Sequence, residues 1–229
     1  MAENVDIGQR LRDARLRQGI SLRGVAQAIG VSPSLISQVE TGKTQPSVST
    51  LYALVTQLGV SFDDLMGHEP TNAASAPDVA GTGRPFPPAV QRSDQNPTLE
   101  MENGVRWERL AIGDDGPADA FLVTYQPQAS SSIEGKLMRH AGIEYGYILE
   151  GALTLQLEFD THVLRAGDSL HFDSVRPHLY VNEGDVPARG VWFVVGRRQQ
   201  PAPTPSAAAA PLNSAVDVLR AMDDIRSEA

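Results

Sequence analysis

The chain of 229 residues contains no cysteine. That excludes disulfides, thiolate-ligated zinc and a thiol nucleophile. Its opening, MAENVDIGQRLRDARLRQG, is polar and lacks the apolar core of a secretory signal. Nowhere does an apolar run approach the ~20 residues needed to span a bilayer. The expected setting is therefore cytoplasmic. Positive charge is also scarce overall. A net charge of -9 argues against a protein that coats nucleic acid with its whole surface. Its distribution is more telling than its sum. Between residues 7 and 45 there are six basic and two acidic side chains, or +4; between residues 98 and 198 there are nine and fifteen, or -6. A basic head on an acidic body suits a polyanion contact made by the head alone.

Apolar residues make up 41% of the chain, enough for a substantial core. Composition divides it into four parts: 1–66 with helical periodicity, 67–97 rich in Pro, Gly, Ala and Ser, 98–198 with period-two alternation, and 199–229 beginning with a second low-complexity stretch. The second part reads as a flexible linker. In the last, Asn213 or Ser214 is placed to cap a short helix whose stripe is Val218, Leu219, Met222 and Ile225. It reads either as a frayed tail or as a docking or dimer helix.

The head is punctuated by caps. IGQRLRDARLRQG sets Ile7, Leu11, Ala14 and Leu16 towards one side and stops at Gly19. Ser21, Ser32, Ser47 and Ser61 open four further helices, and Gly30 and Gly59 close two of them. Pro33 sits at a first helical position, where its missing N–H costs nothing. Five short helices in about sixty residues, with a three- to four-residue joint between the second and third, have helix-turn-helix spacing. On the third helix Val31, Leu35, Ile36 and Val39 are the candidate core. Pro33, Ser34, Ser37 and Gln38 point the other way and suit base edges in a major groove. Ser32 caps the same helix, and Ser21, Arg23, Lys43 and Thr44 are placed to hold phosphates.

Residues 7–66, above all LISQVETGKTQPS and ALVTQLGVS, resemble the Cro/repressor-type (Xre) helix-turn-helix family. The resemblance implies a dimer that binds paired half-sites of double-stranded operator DNA. It places Pro33, Ser34, Ser37 and Gln38 in the groove and Lys43 on the backbone, and makes Glu40 structural.

Beyond the linker, Leu153, Leu155, Leu157 and Phe159 alternate with polar residues, and turn signals recur at short intervals. The pattern predicts an all-β sandwich or small barrel. HAGIEYGYILEGALTLQL and AGDSLHF…RPHLYVN resemble the two cupin motifs, which implies a jelly-roll, double-stranded β-helix. A typical cupin binds metal through three His and one Glu. Met138 stands at the first His position; His140, Glu144, His178 and the trailing Asn182 fall on matching places. These five form the expected effector pocket. His140, Glu144 and His178 form a candidate two-His, one-carboxylate set suited to Fe(II), Zn, Ni or Mn. Trp107, Trp192 and Phe193 are expected in the core or pocket wall. His68, His162 and His171 are expected outside the site.

Together these readings describe a DNA-binding transcriptional regulator, not an enzyme: a homodimer whose cupin domain takes a small-molecule effector and alters operator binding. The alternative is a metal-dependent cupin enzyme, because the chain also resembles a non-haem iron epoxidase in its domain order and His-Ala-Gly-x-Glu motif. The long linker favours two separable modules over a head that closes on an active site.

Overall fold

The computed structural model describes residues 6–66, 90–112, 118–133 and 135–196. Five helices come first: α1 (Ile7–Arg17), α2 (Leu22–Ile29), α3 (Pro33–Glu40), α4 (Val48–Leu58) and α5 (Phe62–Leu65). The four serine caps operate as the sequence implies. Ser21, Ser32, Ser47 and Ser61 each accept an amide hydrogen bond from the first turn they open. Asp6 does the same for α1. Gly30 and Gly59 end α2 and α4 in the left-handed conformation that spares them a Cβ clash.

One expected core residue, Leu16, is exposed, and Arg15 is buried in its stead. The cause is an ion pair. Arg15 donates from Nε and Nη2 to the two carboxylate oxygens of Glu40 at 2.6 and 2.7 Å, and from Nη1 to the carbonyl of Ile20. This bidentate bridge ties α1 to the end of α3 and confirms the structural role of Glu40. The pair cancels itself, so the head keeps its +4 charge between residues 7 and 45.

The second part is a jelly roll of two sheets. One has the order β1 (Thr98–Glu100), β2 (Val105–Leu110), β3 (Ala118–Tyr125), β9 (Ala188–Val195), β4 (Ile143–Glu150), β7 (Ser169–Asp173); the other is β6 (Asp160–Arg165), β5 (Ala152–Leu157), β8 (His178–Val181). All the paired strands run antiparallel. Gly151, at φ 73°, makes the β4–β5 turn, and a Cβ there would lie 2.5 Å from the carbonyl oxygen of Pro187. Leu153, Leu155 and Leu157 face inward as their alternation predicts, but Phe159 is fully exposed. The β5–β6 hairpin turns at Glu158 and Phe159, where the expected alternation would have run on, with Glu158 at φ 56°. Phe193 is also half outside, on the outer face of β9.

The largest departure concerns the joint between the parts. Head and barrel share one continuous hydrophobic core. The Tyr52 ring of α4 and the Phe62 ring of α5 each lie 5.5 Å from Trp107 of β2, edge to face, and Phe62 also meets Phe121 of β3. The Ser49 amide donates to the carbonyl of Ser131 at 3.0 Å. Arg109 on β2, 2% exposed, donates to Asp63 on α5 from Nε at 2.8 Å, and to the carbonyls of Leu110 and Ala120. The two parts are therefore docked on one another, through buried aromatic rings. Residues 90–97, assigned to the linker, are also docked. Gln91 bonds to Asn96 and to the carbonyl of Arg109 on the barrel. The rest of the linker, residues 67–89 with His68, and the tail 197–229 with its apolar stripe lie outside the described residues.

Removing one partner of a buried ion pair leaves the other charge unpaired. Glu40→Ala should lower the unfolding free energy of the full chain by ~3–5 kcal/mol in denaturant titration, whereas the paired apolar replacement Arg15→Met with Glu40→Leu should recover most of it. Equal stability of wild type and Glu40→Ala would contradict the role given to this bridge.

Candidate functional site at the mouth of the barrel

Three ionisable side chains converge in the barrel from both sheets. Glu144 comes from β4, His178 opens β8, and His140 lies on the segment that precedes β4. Backbone bonds fix that segment. Met138 and His178 exchange two hydrogen bonds at 2.8 and 3.0 Å, and the His140 amide donates to Ser174. All three side chains are buried, and their ligand atoms lie within 4.8 Å of one another.

The contacts define the chemistry. Nε2 of His140 is 2.7 Å from Oε1 of Glu144, and Nε2 of His178 is 3.2 Å from the same oxygen. Both are close ion contacts, yet neither has the angles of a hydrogen bond. Nδ1 of each ring faces a carbonyl, Ala141 at 3.2 Å and Arg176 at 2.8 Å. A carbonyl only accepts, so each Nδ1 carries the hydrogen. In a neutral ring Nε2 is then a lone pair aimed at a carboxylate. Two lone pairs and an anion in one dry spot require a positive charge, from ring protons or from a cation. Backbone-anchored Nδ1 with inward Nε2 is also how metal-binding histidines are held. The donor set fits a divalent cation.

Glu144 is the electrostatic centre. Burial pushes its carboxyl up, but the close contacts and charges of His140 and His178 outweigh burial and hold it well below the usual carboxylate range. Tyr180 donates to its other oxygen at 2.7 Å, Ser174 donates to Oε1 at 3.3 Å, and Trp192 donates to the Tyr180 hydroxyl at 3.3 Å. Burial, and next the charge of Glu144, raise Tyr180 well above the ordinary phenol range, so it remains a donor.

The expected pocket residues do not all meet. Met138 and Glu144 line the cavity, and His140 and His178 touch Glu144. Asn182 is elsewhere. Its Nδ2 donates to the carbonyls of Tyr125, Gln126 and Val186, and its Oδ1 accepts from the Gly184 amide. Its amide group is spent on bracing a loop, and Asn182 is not among the residues that line the cavity. Trp107 and Trp192 are cavity wall as expected. His171 and His162 are exposed outside the site.

Two wall residues come from the head. Val48 and Tyr52 of α4 line the cavity with Phe121, Val123, Tyr125 and Tyr180. The Tyr52 ring lies flat on the His140 imidazole, 4.0 Å between centroids and 5° between planes. The cavity that remains is ≈ 20 Å³, room for about one water. The sequence did contain a cue to Tyr52. Val48, Leu51, Tyr52, Leu54, Val55 and Leu58 are all buried on α4, an apolar arc wider than one packing face needs.

The DNA-side candidates are on a different surface. Ser21, Arg23, Ser32, Pro33, Ser34, Gln38 and Lys43 are exposed, and Ser37 and Thr44 are half-buried. They sit at the start of α2, along α3 and in the loop after α3. Ile36 and Val39 are buried behind them.

Stripping Asn182 of its amide leaves three carbonyls without that donor. Asn182→Leu should destabilise the chain by about 1–3 kcal/mol in thermal or denaturant unfolding. Metal uptake by the folded fraction should stay at the wild-type level. Loss of metal uptake at unchanged stability would return Asn182 to the site.

Comparison with known proteins agrees with both halves. The helix-turn-helix family matches residues 11–65 and the cupin domain family residues 121–194. The chain is 30% identical over 182 residues to the HTH-type transcriptional regulator PuuR of Escherichia coli (strain K12), covering 79% of this chain and 89% of that one. It is 24% identical over 176 residues to the HTH-type transcriptional regulator SutR of the same organism, covering 76% and 86%. A crystal structure of an HTH_3 family transcriptional regulator from Vibrio cholerae superposes with a TM-score of 0.57 at 22% identity, over 83% of this chain and 95% of that one, and shares the fold. The exposed start of α3, the jelly roll behind it and these relatives lead to one assignment: the chain belongs to the Xre-type helix-turn-helix transcriptional regulators that carry a C-terminal cupin domain.

Proposed function

We propose that the protein binds operator DNA in a sequence-specific way and that occupancy of its cupin cavity modulates that binding. The observation that carries the proposal is the exposed, neutral face of α3, along which Pro33, Ser34 and Gln38 stand clear of the core. A helix offered in this way fits a major groove. Gln38 reads a base, bidentate to adenine N6 and N7. Ser37 lies beside it. Arg23, Lys43 and Thr44 hold phosphates. Ser21 and Ser32 spend their side-chain oxygens on caps, so their part is to aim the amide ends of α2 and α3 at the backbone.

A homodimer is part of the reading. The outer face of β4, β7 and β9 carries a groove of ≈ 390 Å³ lined by Tyr145, Tyr147, Leu170, His171 and Phe193. Exposed aromatic surface of this kind supports pairing of two barrels. Such a pair would present two α3 helices to half-sites one DNA turn, ~34 Å, apart. The protein works where DNA is accessible, in the cytoplasm, with a small molecule as effector.

The same triad supports a metal reading, in which His140, Glu144 and His178 would hold Fe, Zn, Ni or Mn. A bound cation would supply the positive charge that Glu144 needs and an open coordination position for the effector. A metal-dependent cupin enzyme is the second reading, and the docked head removes one argument against it, the separation of the modules. The regulator reading is favoured by the DNA-facing residues, for which an enzyme has no use, and by relatives named as regulators.

The duplex that wild-type full chain selects from a random pool is the probe for DNA binding. Gln38→Ala should lose ~1–3 kcal/mol of discrimination at one position. Lys43→Ala should weaken all sequences alike and reduce the salt slope by about 1. Wild-type behaviour of both variants would contradict the interface. For the metal, protein equilibrated with each divalent ion should retain one equivalent, and His178→Ala should lose it. Retention of the ion by His178→Ala would contradict the ligand set.

A further inference from the structure

We propose that Tyr52 of the head is the plug of the barrel cavity, so that a ligand seated beside Glu144 and a docked head exclude one another. The inference deepens the effector reading above and rests on it. It supplies the device by which the cavity reaches the head.

The cavity of ≈ 20 Å³ admits about one water, and no organic molecule fits while Tyr52 is in place. The ring itself is confined. Tyr52 is 5% exposed. It is stacked on His140 and boxed by Phe62 at 5.2 Å and Trp107 at 5.5 Å, both edge to face. Rings on three sides confine it where it stands. To clear the site the ring must leave with its helix.

Helix α4 carries more than this ring to the barrel. Val48, in its first turn, lines the same cavity. The adjacent Ser49 amide is bonded to the barrel at Ser131. Beyond the helix, α5 is held through Asp63 to Arg109, which does not line the cavity. Withdrawal of Tyr52 therefore breaks the seam between head and barrel. By linkage, the apparent affinity of a cavity ligand is its intrinsic affinity reduced by the fraction of molecules with the plug withdrawn. Ligand binding favours the undocked state by the same factor. In a dimer whose barrels set the spacing of two heads, undocking frees that spacing and lowers operator affinity. The coupling has a sign: occupancy releases DNA.

Phenol is the probe, since it copies the ring it must replace. Calorimetric titration of the full chain compares wild type, Asp63→Asn and Tyr52→Ala. Wild type should bind phenol weakest. Asp63→Asn should bind roughly tenfold tighter or more, because it loosens the seam without touching the cavity. Tyr52→Ala should bind tightest, since the hole is already made. Tyr52→Leu, a gentler truncation, serves if the alanine variant does not fold, and should fall above wild type. Amide exchange gives the second readout: phenol should speed exchange of Ser49 in wild type and slow or spare it in Tyr52→Ala. Asp63→Asn binding no tighter than wild type, or Tyr52→Ala binding no tighter than wild type, overturns the plug. No DNA enters this experiment, so a failed plug and a failed DNA interface give separate results.

Discussion

The stack of the Tyr52 ring on the His140 imidazole is the contact on which the two halves of this molecule depend. One ring belongs to α4, which packs against α1 and α2. The other belongs to the acid–base cluster at the heart of the barrel. Around them Phe62, Trp107 and Phe121 pack edge to face or tilted, so that the seam is an aromatic core and not a surface contact. Rings of this size contribute more through buried area than any ion pair at the seam. The Asp63–Arg109 pair adds orientation. Arg109 is almost wholly buried, donates to Asp63 and two carbonyls, and lies over the Phe121 face. A cation so enclosed demands its partners, which fixes where α5 can sit.

The second constraint is the charge balance around Glu144. A buried carboxylate is costly unless it is surrounded by donors. Here Tyr180 and Ser174 donate to it, and two imidazoles face it from the opposite sheet and the preceding segment. The strand pairing brings them together. β4 lies between β9 and β7 in one sheet, while His178 starts β8 in the other. The triad thus spans the barrel, and Tyr52 of the head covers one of its imidazoles.

Much of this was legible before any coordinates. Ser21, Ser32, Ser47 and Ser61 announce four helices because a side-chain oxygen before an apolar periodic run satisfies amides that nothing else can reach. Leu153, Leu155 and Leu157 announce a strand because alternation has one physical meaning. The triad was legible because three ligand-type side chains fall in two adjacent motifs. What escaped was everything set by distant partners. Periodicity says that Tyr52 is buried but not that a barrel buries it. It put Leu16 inside, where Arg15 took the place because Glu40 was there to neutralise it. It continued the β5 alternation through Phe159, where the hairpin had already turned. Asn182 fell on a motif position, yet three carbonyls claimed its amide. The linker suggested independence of the modules. A long tether permits separation without causing it, and the apolar faces on α4 and α5 decided otherwise.

Head and barrel form one docked body closed by Tyr52. Amide ¹⁵N relaxation of the full chain measures this directly, because it gives each part its own rotational correlation time. A docked head predicts the same correlation time for α1 to α4 as for the strands of the barrel, and a ring-to-ring nuclear Overhauser effect between Tyr52 and His140. A head that tumbles faster than the barrel, with no such effect, would contradict the account.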